Sequence, residues 1–189
     1  MSLPGKLLVF TAPSGSGKTT IVRHILSTFK NTGFSVSATT RAKRKYETHG
    51  KDYLYLSVET FKLWISLEAF AEWEEVYGGQ FYGTLKSEIE RLTSLGQHVV
   101  FDVDVKGAMS IKHLYPEDTL TIFIKVPSLE ILENRLRLRG NETEESLKKR
   151  LIKAHEELTF EDQFDVVIIN DGLDDALKEV EEIVQKFLF

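Results

Sequence analysis

The chain has 189 residues, of which 42% are hydrophobic and 28% are charged, and its formal net charge is −5. This length fits one α/β domain with insertions, and the negative charge argues against a dedicated nucleic-acid-binding protein. The absence of cysteine excludes disulfides and cysteine-ligated metal sites and fits a reducing compartment. No apolar run approaches the roughly 20 residues that span a bilayer. We therefore expect a soluble cytoplasmic protein with no nucleic-acid or membrane partner.

Short apolar runs alternate with helical patterns along most of the chain. The runs predict strands at Leu7–Phe10, Val99–Phe101, Leu120–Ile124 and Val166–Ile169. The patterns that follow them predict helices at Thr19–Phe29, Val105–Leu114, Ser128–Arg137 and Leu173–Phe187. Alternation of this kind is typical of a parallel sheet covered by helices on both faces.

Two segments interrupt this alternation and divide the predicted core into residues 5–34, 96–134 and 151–189. The first, residues 35–95, is predicted to be an insertion that projects from the sheet. It opens on a basic loop and continues with a strand at Tyr53–Leu56, a helix at Val58–Leu67, a hairpin-like segment at Ala71–Tyr82 and a helix at Lys86–Leu95. The second, residues 135–150, is long and rich in charge, which predicts a mobile lid.

A candidate phosphate-binding loop lies between the first strand and the first helix, which is the context that a P-loop requires. It comprises Ala12, Pro13, Ser14, Gly15, Ser16, Gly17, Lys18, Thr19 and Thr20. Its backbone N–H groups and the helix N-terminus attract phosphate. We expect Lys18 to reach the β- and γ-phosphates of a nucleoside triphosphate and the Thr19 hydroxyl to ligate Mg²⁺. Ala12 replaces the usual first glycine, which is costly only if its φ is positive.

A second sequence element, a strand that ends on an acid, also supports nucleotide binding. The strand His98–Asp102 ends on a carboxylate, and the carboxyl ends of strands form the ligand-binding edge of an open α/β sheet. Asp102 is therefore a candidate to hold Mg²⁺, directly or through water. The alternative interpretation is that Asp102 caps the helix that follows.

The insertion carries donors suited to a dianionic phosphate, because arginine binds phosphate as a planar fork and tyrosine adds a neutral donor. They are Ser37, Arg41, Arg44, Tyr53 and Tyr82. These residues alone leave a solvated basic loop equally open.

Taken together, the motifs resemble the guanylate kinase family over about residues 5 to 187. The resemblance rests on Ser35–Arg41 with Arg44, Gly50 and Tyr53; on Glu72 with Phe81–Thr84; on Asp102–Asp104 with Gly107; on Arg135, Arg139–Ser146 and Arg150; and on Val167–Asp171. It implies a three-layer α/β P-loop NTPase fold with a parallel core sheet, an inserted GMP-binding subdomain and a helical lid. It also implies transfer of the γ-phosphate of ATP to GMP, with Mg²⁺ as cofactor.

The resemblance implies roles for particular side chains. A carboxylate at Glu72 would accept hydrogen bonds from guanine N1–H and the 2-amino group, with Thr84 and Asp104 as further acceptors. Lys18, Arg41, Arg139 and Arg150 would offset the charge of two meeting anions. Arg135 and Asn170 would contact ATP.

Two further positions depart from the family pattern, and other functions stay open. Lys43 stands where the family often has proline, and Lys106 where it often has glutamine. The alternatives are a catalytically silent guanylate-kinase-like module that binds phosphorylated proteins and a kinase of a phosphorylated sugar. A P-loop GTPase is disfavoured because no Asn/Thr-Lys-x-Asp run is present. The oligomeric state is left open.

Overall fold

The computed structural model describes residues 4–138 and 143–189. Strands in these residues are β1 Leu7–Thr11, β2 Thr32–Phe34, β3 Ala38–Thr39, β4 Leu54–Tyr55, β5 Phe70–Tyr77, β6 Gln80–Leu85, β7 His98–Asp102, β8 Thr119–Lys125 and β9 Val166–Ile169. Helices are α1 Lys18–Thr28, α2 Val58–Ser66, α3 Lys86–Ser94, α4 Val105–Leu114, α5 Leu129–Leu138, α6 Glu144–Leu158 and α7 Leu173–Leu188. Among the helices of the described ranges, none is long and apolar enough to cross a membrane.

A parallel sheet with strand order β2-β7-β1-β8-β9 forms the centre of the molecule. Every residue of β1 is buried, which explains its continuous apolar run and its central position. The four strands predicted for the core all lie in this sheet, as β1, β7, β8 and β9. The edge strand β2 was not predicted, because its sequence Thr-Gly-Phe is short and includes one buried residue.

Helices cover both faces of this sheet, so the predicted three-layer α/β fold is confirmed. On one face, α1 and α7 bury Ile21, Ile25 and Val180 against Leu8 and Phe10. On the other face a second apolar cluster joins the sheet to α3 and α4 through Leu7, Val9, Phe101, Ile89 and Ile111. Alternate residues of β1 thus point to opposite layers, as the pleat of a strand requires.

The segment between β2 and α3 forms a second sheet with strand order β4-β3-β6-β5. Its β5–β6 hairpin agrees with the extended segment predicted at Ala71–Tyr82. On one face Phe61 of α2 stacks on Phe70 with ring centroids 4.3 Å apart, and Phe81 packs against the same ring. The opposite face of the hairpin carries polar side chains, because Glu72 pairs with Thr84 and Glu74 with Tyr82 after an irregularity that follows Phe70.

The polar stretch predicted as an interruption at residues 135–150 is helical at residues 135–138 and 144–150. The last turn of α5 and the first turns of α6 lie there, and α6 runs on through residue 150 without a break. Thr143 caps α6 by accepting a hydrogen bond from the Ser146 N–H at 3.2 Å. Leu136 of α5 packs against Leu147 of α6 in a small separate core, which was hidden by the surrounding charge.

Candidate active site

A cleft of about 830 Å³ opens where the carboxyl ends of β1 and β7 meet α6. The phosphate-binding loop forms its floor, and residues 102–104 form one wall. Side chains of α6 face it from the other wall: Glu145, Ser146, Lys149, Arg150, Lys153 and Glu157. This is the edge at which open α/β sheets bind ligands.

Two glycines let the phosphate-binding loop turn into α1. Gly15 and Gly17 have φ of +102° and +92°, a region that side chains disfavour. A Cβ on Gly15 would also lie 3.0 Å from Leu136 of α5. Ala12 has no such problem, since Glu68 is the one non-glycine residue with positive φ among those described. The sequence therefore tolerates alanine where the family pattern has glycine.

Asn170 supports this loop from inside the molecule. Its side chain is 4% exposed, and Nδ2 donates to the Ser16 carbonyl at 2.8 Å. A Cβ on Gly17 would lie 2.4 Å from the same nitrogen, so the loop and Asn170 fit closely. The predicted contact of Asn170 with ATP stays a prediction, and its observed partner is the loop backbone.

Lys18 crosses the cleft floor to the end of β7. Its Nζ lies 2.5 Å from Asp102 Oδ1 and donates to the Val103 carbonyl at 3.3 Å. The two side chains are about one-quarter exposed, so this ion pair faces the cleft rather than the core. The predicted phosphate-binding lysine and the predicted metal-binding carboxylate are thus adjacent. Thr19 and Thr20 follow on the exposed first turn of α1.

The polar face of the β5–β6 hairpin carries Glu72 opposite Thr84. Thr84 is fully buried and donates its hydroxyl to Glu72 Oε1 at 2.6 Å. A Cβ on Gly107 of α4 would meet Glu72 Oε2 at 3.0 Å and Asp104 Oδ1 at 3.3 Å, so these two carboxylates lie close together. Burial raises the pKa of Glu72 to about 7, the Thr84 hydroxyl opposes this, and the Asp104 charge adds to it.

Asp104 and Glu74 form a second carboxylate contact beside Glu72. Asp104 caps α4 by accepting the Gly107 N–H at 2.8 Å. Its interaction with Glu74 raises the pKa of Glu74 to about 7, and burial adds to this rise. Lys106, one of the departures from the family pattern, is exposed and lies 3.7 Å from Glu74. Its ammonium therefore balances part of this acidic group.

Arg41 is held by Glu47, a residue that the sequence did not single out. Both terminal nitrogens of the guanidinium pair with the carboxylate, Nη1 to Oε2 at 3.0 Å and Nη2 to Oε1 at 2.8 Å. The Arg41 guanidinium, with the Arg44 backbone N–H and the Tyr55 hydroxyl, lowers the pKa of Glu47 to about 2. Lys43 donates to the Glu47 carbonyl at 2.9 Å, so this departure from proline adds a contact to the loop.

The other predicted phosphate donors surround Arg41. Tyr53 lies under the guanidinium, with 5.3 Å between Cζ and the ring centroid, and its ring contacts that of Tyr82 at 6.0 Å. The Tyr82 hydroxyl interacts with Arg41 as well. Arg44 is more peripheral, with a side chain 59% exposed. Ser37 is half-buried between β2 and β3.

The predicted lid arginines are placed in part. Arg150 on α6 donates from Nη1 to the Ser14 hydroxyl at 2.6 Å, which links α6 to the phosphate-binding loop. Arg135 on α5 donates to the Asp171 carbonyl at 3.1 Å, beside Asn170. Arg139 lies outside the described residues.

Sequence reasoning missed three polar residues of the site: Glu47, Glu74 and Lys153. Glu47 is an acid two residues after a segment that holds four cations in five positions, which is a signal of local pairing. Glu74 is two residues from Glu72 in a strand and so shares its face. Lys153 is three residues after Arg150 on one helix and lines the same cleft.

Comparison with known proteins agrees with this geometry. A model of the guanylate kinase family matches residues 4–187. The guanylate kinase of Bacteroides thetaiotaomicron is 46% identical over 186 residues, covering 98% of this chain and 91% of that protein. The guanylate kinase of Salinibacter ruber is 46% identical and covers 96% of each chain.

Solved structures give the same result. The crystal structure of guanylate kinase from Anaplasma phagocytophilum superposes with a TM-score of 0.76 at 29% identity, covering 100% of this chain and 88% of that one. Shikimate kinase from Bacteroides thetaiotaomicron, at 16% identity and a TM-score of 0.53, shares the fold. The family match over nearly the whole length is decisive, and this chain belongs to the guanylate kinase family.

Proposed function

We propose how the described residues divide the work of an ATP:GMP phosphotransferase, which transfers the γ-phosphate of ATP to GMP and yields ADP and GDP. One observation carries this assignment. Asp104 lines the cleft above the phosphate-binding loop and also lies beside Glu72, so the carboxylate that we assign to the purine lies next to the cleft that we assign to the triphosphate. A sugar phosphate would leave the buried carboxylate without a partner, and a silent module would not need Lys18 paired with Asp102.

We assign the base of GMP to the polar face of the hairpin. Guanine presents two donors on one edge, N1–H and the 2-amino group, and the ionised carboxylate of Glu72 accepts both. Thr84 and Asp104 supply further acceptors. Adenine lacks this donor pair, so its complex would bury an unpaired charge, and a site of this kind can discriminate by roughly 10⁴-fold.

The GMP phosphate is assigned to Arg41, Arg44, Tyr53 and Tyr82, with Ser37 at the edge of the site. The phosphate oxygen is already ionised at neutral pH, so no general base is needed. Catalysis is then positioning and offset of charge between two anions that must meet in line. On the donor side, residues 12–20 bind the phosphates of ATP, with Lys18 at the β- and γ-phosphates.

Cations of the lid complete the offset of charge. Arg150 lies against the phosphate-binding loop, and Arg139 and Arg135 are assigned to the transferring phosphoryl group and to ATP. Asn170 contributes by holding the loop. We propose residues 35–95 as the GMP-binding insertion and residues 135–150 as the lid, joined to a core formed by 5–34, 96–134 and 151–189.

Mg²⁺ fits the oxygen donors at the cleft floor. The Thr19 hydroxyl and the Asp102 carboxylate are hard ligands at the right edge of the sheet, and Mg²⁺ is usually held by one or two protein oxygens plus phosphate and water. Among the described residues no three acids, histidines or cysteines are arranged to hold a metal ion by themselves, and a metal shared with a nucleotide needs fewer protein ligands. When bound, Mg²⁺ would neutralise charge on the β- and γ-phosphates. Lys18 holds Asp102 in place at this position.

A coupled assay for ADP release tests the assignment. The enzyme is given ATP and Mg²⁺ with GMP, AMP, CMP, UMP or a phosphorylated sugar in turn. Turnover is expected with GMP, and Lys18→Met should lower kcat by roughly 10²–10³-fold, the usual cost of losing one charge-stabilising donor. Turnover with the sugar phosphate, or none with GMP in folded protein, would overturn the proposed function.

A further inference from the structure

Glu47 is the most heavily hydrogen-bonded acid of the insertion and belongs to no role assigned above. Its carboxylate is 7% exposed although the segment around it is open to solvent. Besides both terminal nitrogens of Arg41, it accepts the Arg44 backbone N–H at 2.8 Å and the Tyr55 hydroxyl at 2.7 Å. Four donors thus converge on two oxygens.

The pairing uses only one edge of the Arg41 guanidinium. Nη1 gives its two hydrogens to Glu47 Oε2 and to the Ala42 carbonyl at 2.8 Å. Nη2 gives one hydrogen to Glu47 Oε1. The Nε–H and the second Nη2–H form the other edge, which is the fork that matches two oxygens of a phosphate. The Tyr82 hydroxyl, assigned above to the same phosphate, also interacts with this guanidinium.

The aromatic rings around Arg41 fix the plane of that fork. Tyr53 and Tyr55 place their ring centroids 5.3 and 5.8 Å from Cζ. Tyr55 therefore contacts both members of the ion pair, one through its ring and the other through its hydroxyl. The guanidinium cannot rotate about its long axis without breaking the bonds to Glu47.

We infer that Glu47 is a positioning residue for the acceptor phosphate: it turns the Nε edge of Arg41 toward the GMP site and holds the 41–47 loop through the Arg44 backbone. The inference rests on the proposed phosphate site. It predicts a change in GMP affinity opposite in direction to the change that charge alone predicts. A carboxylate near a phosphate dianion repels it, so on charge alone removal of Glu47 would tighten GMP binding. If orientation dominates, removal weakens binding.

Glu47→Gln in the full-length protein separates these two outcomes, because it keeps the shape and removes the charge. Calorimetric titrations with GMP and with guanosine compare ligands that differ in the phosphate. The Kd for GMP is expected to rise by about 10- to 100-fold, the value of one to two charge-assisted hydrogen bonds. The Kd for guanosine and the KM for ATP should change by less than about twofold, since Glu47 acts through Arg41.

Two further variants keep the test decisive. Tyr55→Phe removes one of the four donors and leaves the ion pair, so a smaller rise in the Kd for GMP is expected, again without change for guanosine. Asp165→Asn is the matched control. Asp165 accepts hydrogen bonds from Lys112 and Thr121 at the opposite edge of the sheet, so its loss can lower stability without touching GMP affinity.

Measurements on the unmodified protein separate an error in the proposed function from an error in the role of Glu47. If the unmodified protein neither binds GMP nor uses it as acceptor, the function itself is wrong. If it does, and Glu47→Gln binds GMP unchanged or more tightly, the positioning role is overturned. Equal loss of GMP and guanosine would overturn it too, because that result means general disorder of the insertion.

Discussion

Thr84 donates its hydroxyl to Glu72 across the β5–β6 pair, and the 2.6 Å bond lies in a place where Thr84 is fully buried. The bond stabilises the carboxylate form of Glu72, whereas burial and the Asp104 charge stabilise the protonated form. The balance places the pKa of Glu72 at about 7 before any ligand binds. In the proposed site guanine, with two donors, would bind the carboxylate form, and base recognition would then be coupled to a proton.

The first prediction concerns this coupling. A raised pKa means that Glu72 gains its proton as pH falls below about 7, and guanine binding must then expel it. The Kd for guanosine should therefore be flat above pH 8 and rise by about tenfold per pH unit below pH 6. Guanosine is the right probe, because a phosphate monoester titrates near pH 6 and would add its own dependence.

Calorimetry at pH 6 in two buffers of different ionisation enthalpy measures the released proton. The neighbouring Glu74 also has a raised pKa, so Thr84→Val serves as the control that isolates Glu72. This variant removes the donor, and the break in the pH profile should move to higher pH. Guanosine affinity that stays constant between pH 5 and pH 8 would contradict the prediction.

The second prediction concerns Asn170. Its buried side-chain amide donates a hydrogen bond to the Ser16 carbonyl and so connects the phosphate-binding loop to the end of β9. Asn170→Ala leaves the Ser16 carbonyl unsatisfied, which typically costs about 1–3 kcal/mol. We expect a lower free energy of unfolding in urea and a higher KM for ATP, with the KM for GMP unchanged.

Ser94→Ala is the matched control for Asn170→Ala. The Ser94 hydroxyl also donates to a backbone carbonyl, that of Arg91, but at an exposed position far from the loop. Its loss should leave both KM values unchanged. A KM for ATP that does not move in Asn170→Ala would show that the loop keeps its shape without this bond.

The third prediction concerns the first position of the phosphate-binding loop. Since Ala12 has no positive φ, glycine there adds freedom to the unfolded chain and nothing to the folded one. Ala12→Gly should lower stability by about 0.4–1 kcal/mol and leave kcat/KM within about twofold.

Gly17→Ala is the opposite case and the comparison variant. Gly17 has φ of +92°, and an added Cβ would lie 2.4 Å from Asn170 Nδ2. We expect a larger loss of stability and a higher KM for ATP. Urea unfolding and steady-state kinetics on the pair check both statements, and equal effects of the two substitutions would refute the backbone argument.

How far the sequence predicts this molecule depends on the range of each interaction. Continuous apolar runs such as Leu7–Phe10 predicted central strands, because a strand that is buried on both faces consists almost entirely of apolar residues. The edge strand β2 has three residues and Ala38–Thr39 has two, too few for a periodic signal. Helix α6 was not predicted from the sequence, because its few buried apolar residues, such as Leu147 and Ala154, lie among many charged ones.

In the candidate site, too, contacts between neighbours in sequence could be predicted and contacts between distant residues could not. Glycines and the lysine of the phosphate-binding loop are contiguous in sequence, so their geometry follows from local rules. The contact between Asn170 and Ser16 joins residues 154 positions apart, and only the assembled sheet brings them together. The pairing of Arg41 with Glu47 is local but depends on the aromatic rings of Tyr53 and Tyr55, which the tertiary fold supplies.

The fourth prediction concerns closure of the cleft over the two nucleotides. Water must be excluded from the transferring phosphoryl group, or ATP would be hydrolysed. The cleft is open at about 830 Å³, and Arg150 already reaches Ser14 from α6. Small-angle scattering with Mg²⁺, GMP and a non-hydrolysable ATP analogue should show compaction toward a radius of gyration of about 16 Å, the value for a compact chain of this length.

Each nucleotide alone should compact the protein less, because the charges that draw the lid and the insertion together are then half supplied. Arg150→Met removes the existing link between lid and loop and should reduce the compaction seen with both nucleotides. If the scattering curves with and without both ligands superpose, closure is wrong. Water exclusion would then have to come from the ligands filling the open cleft themselves.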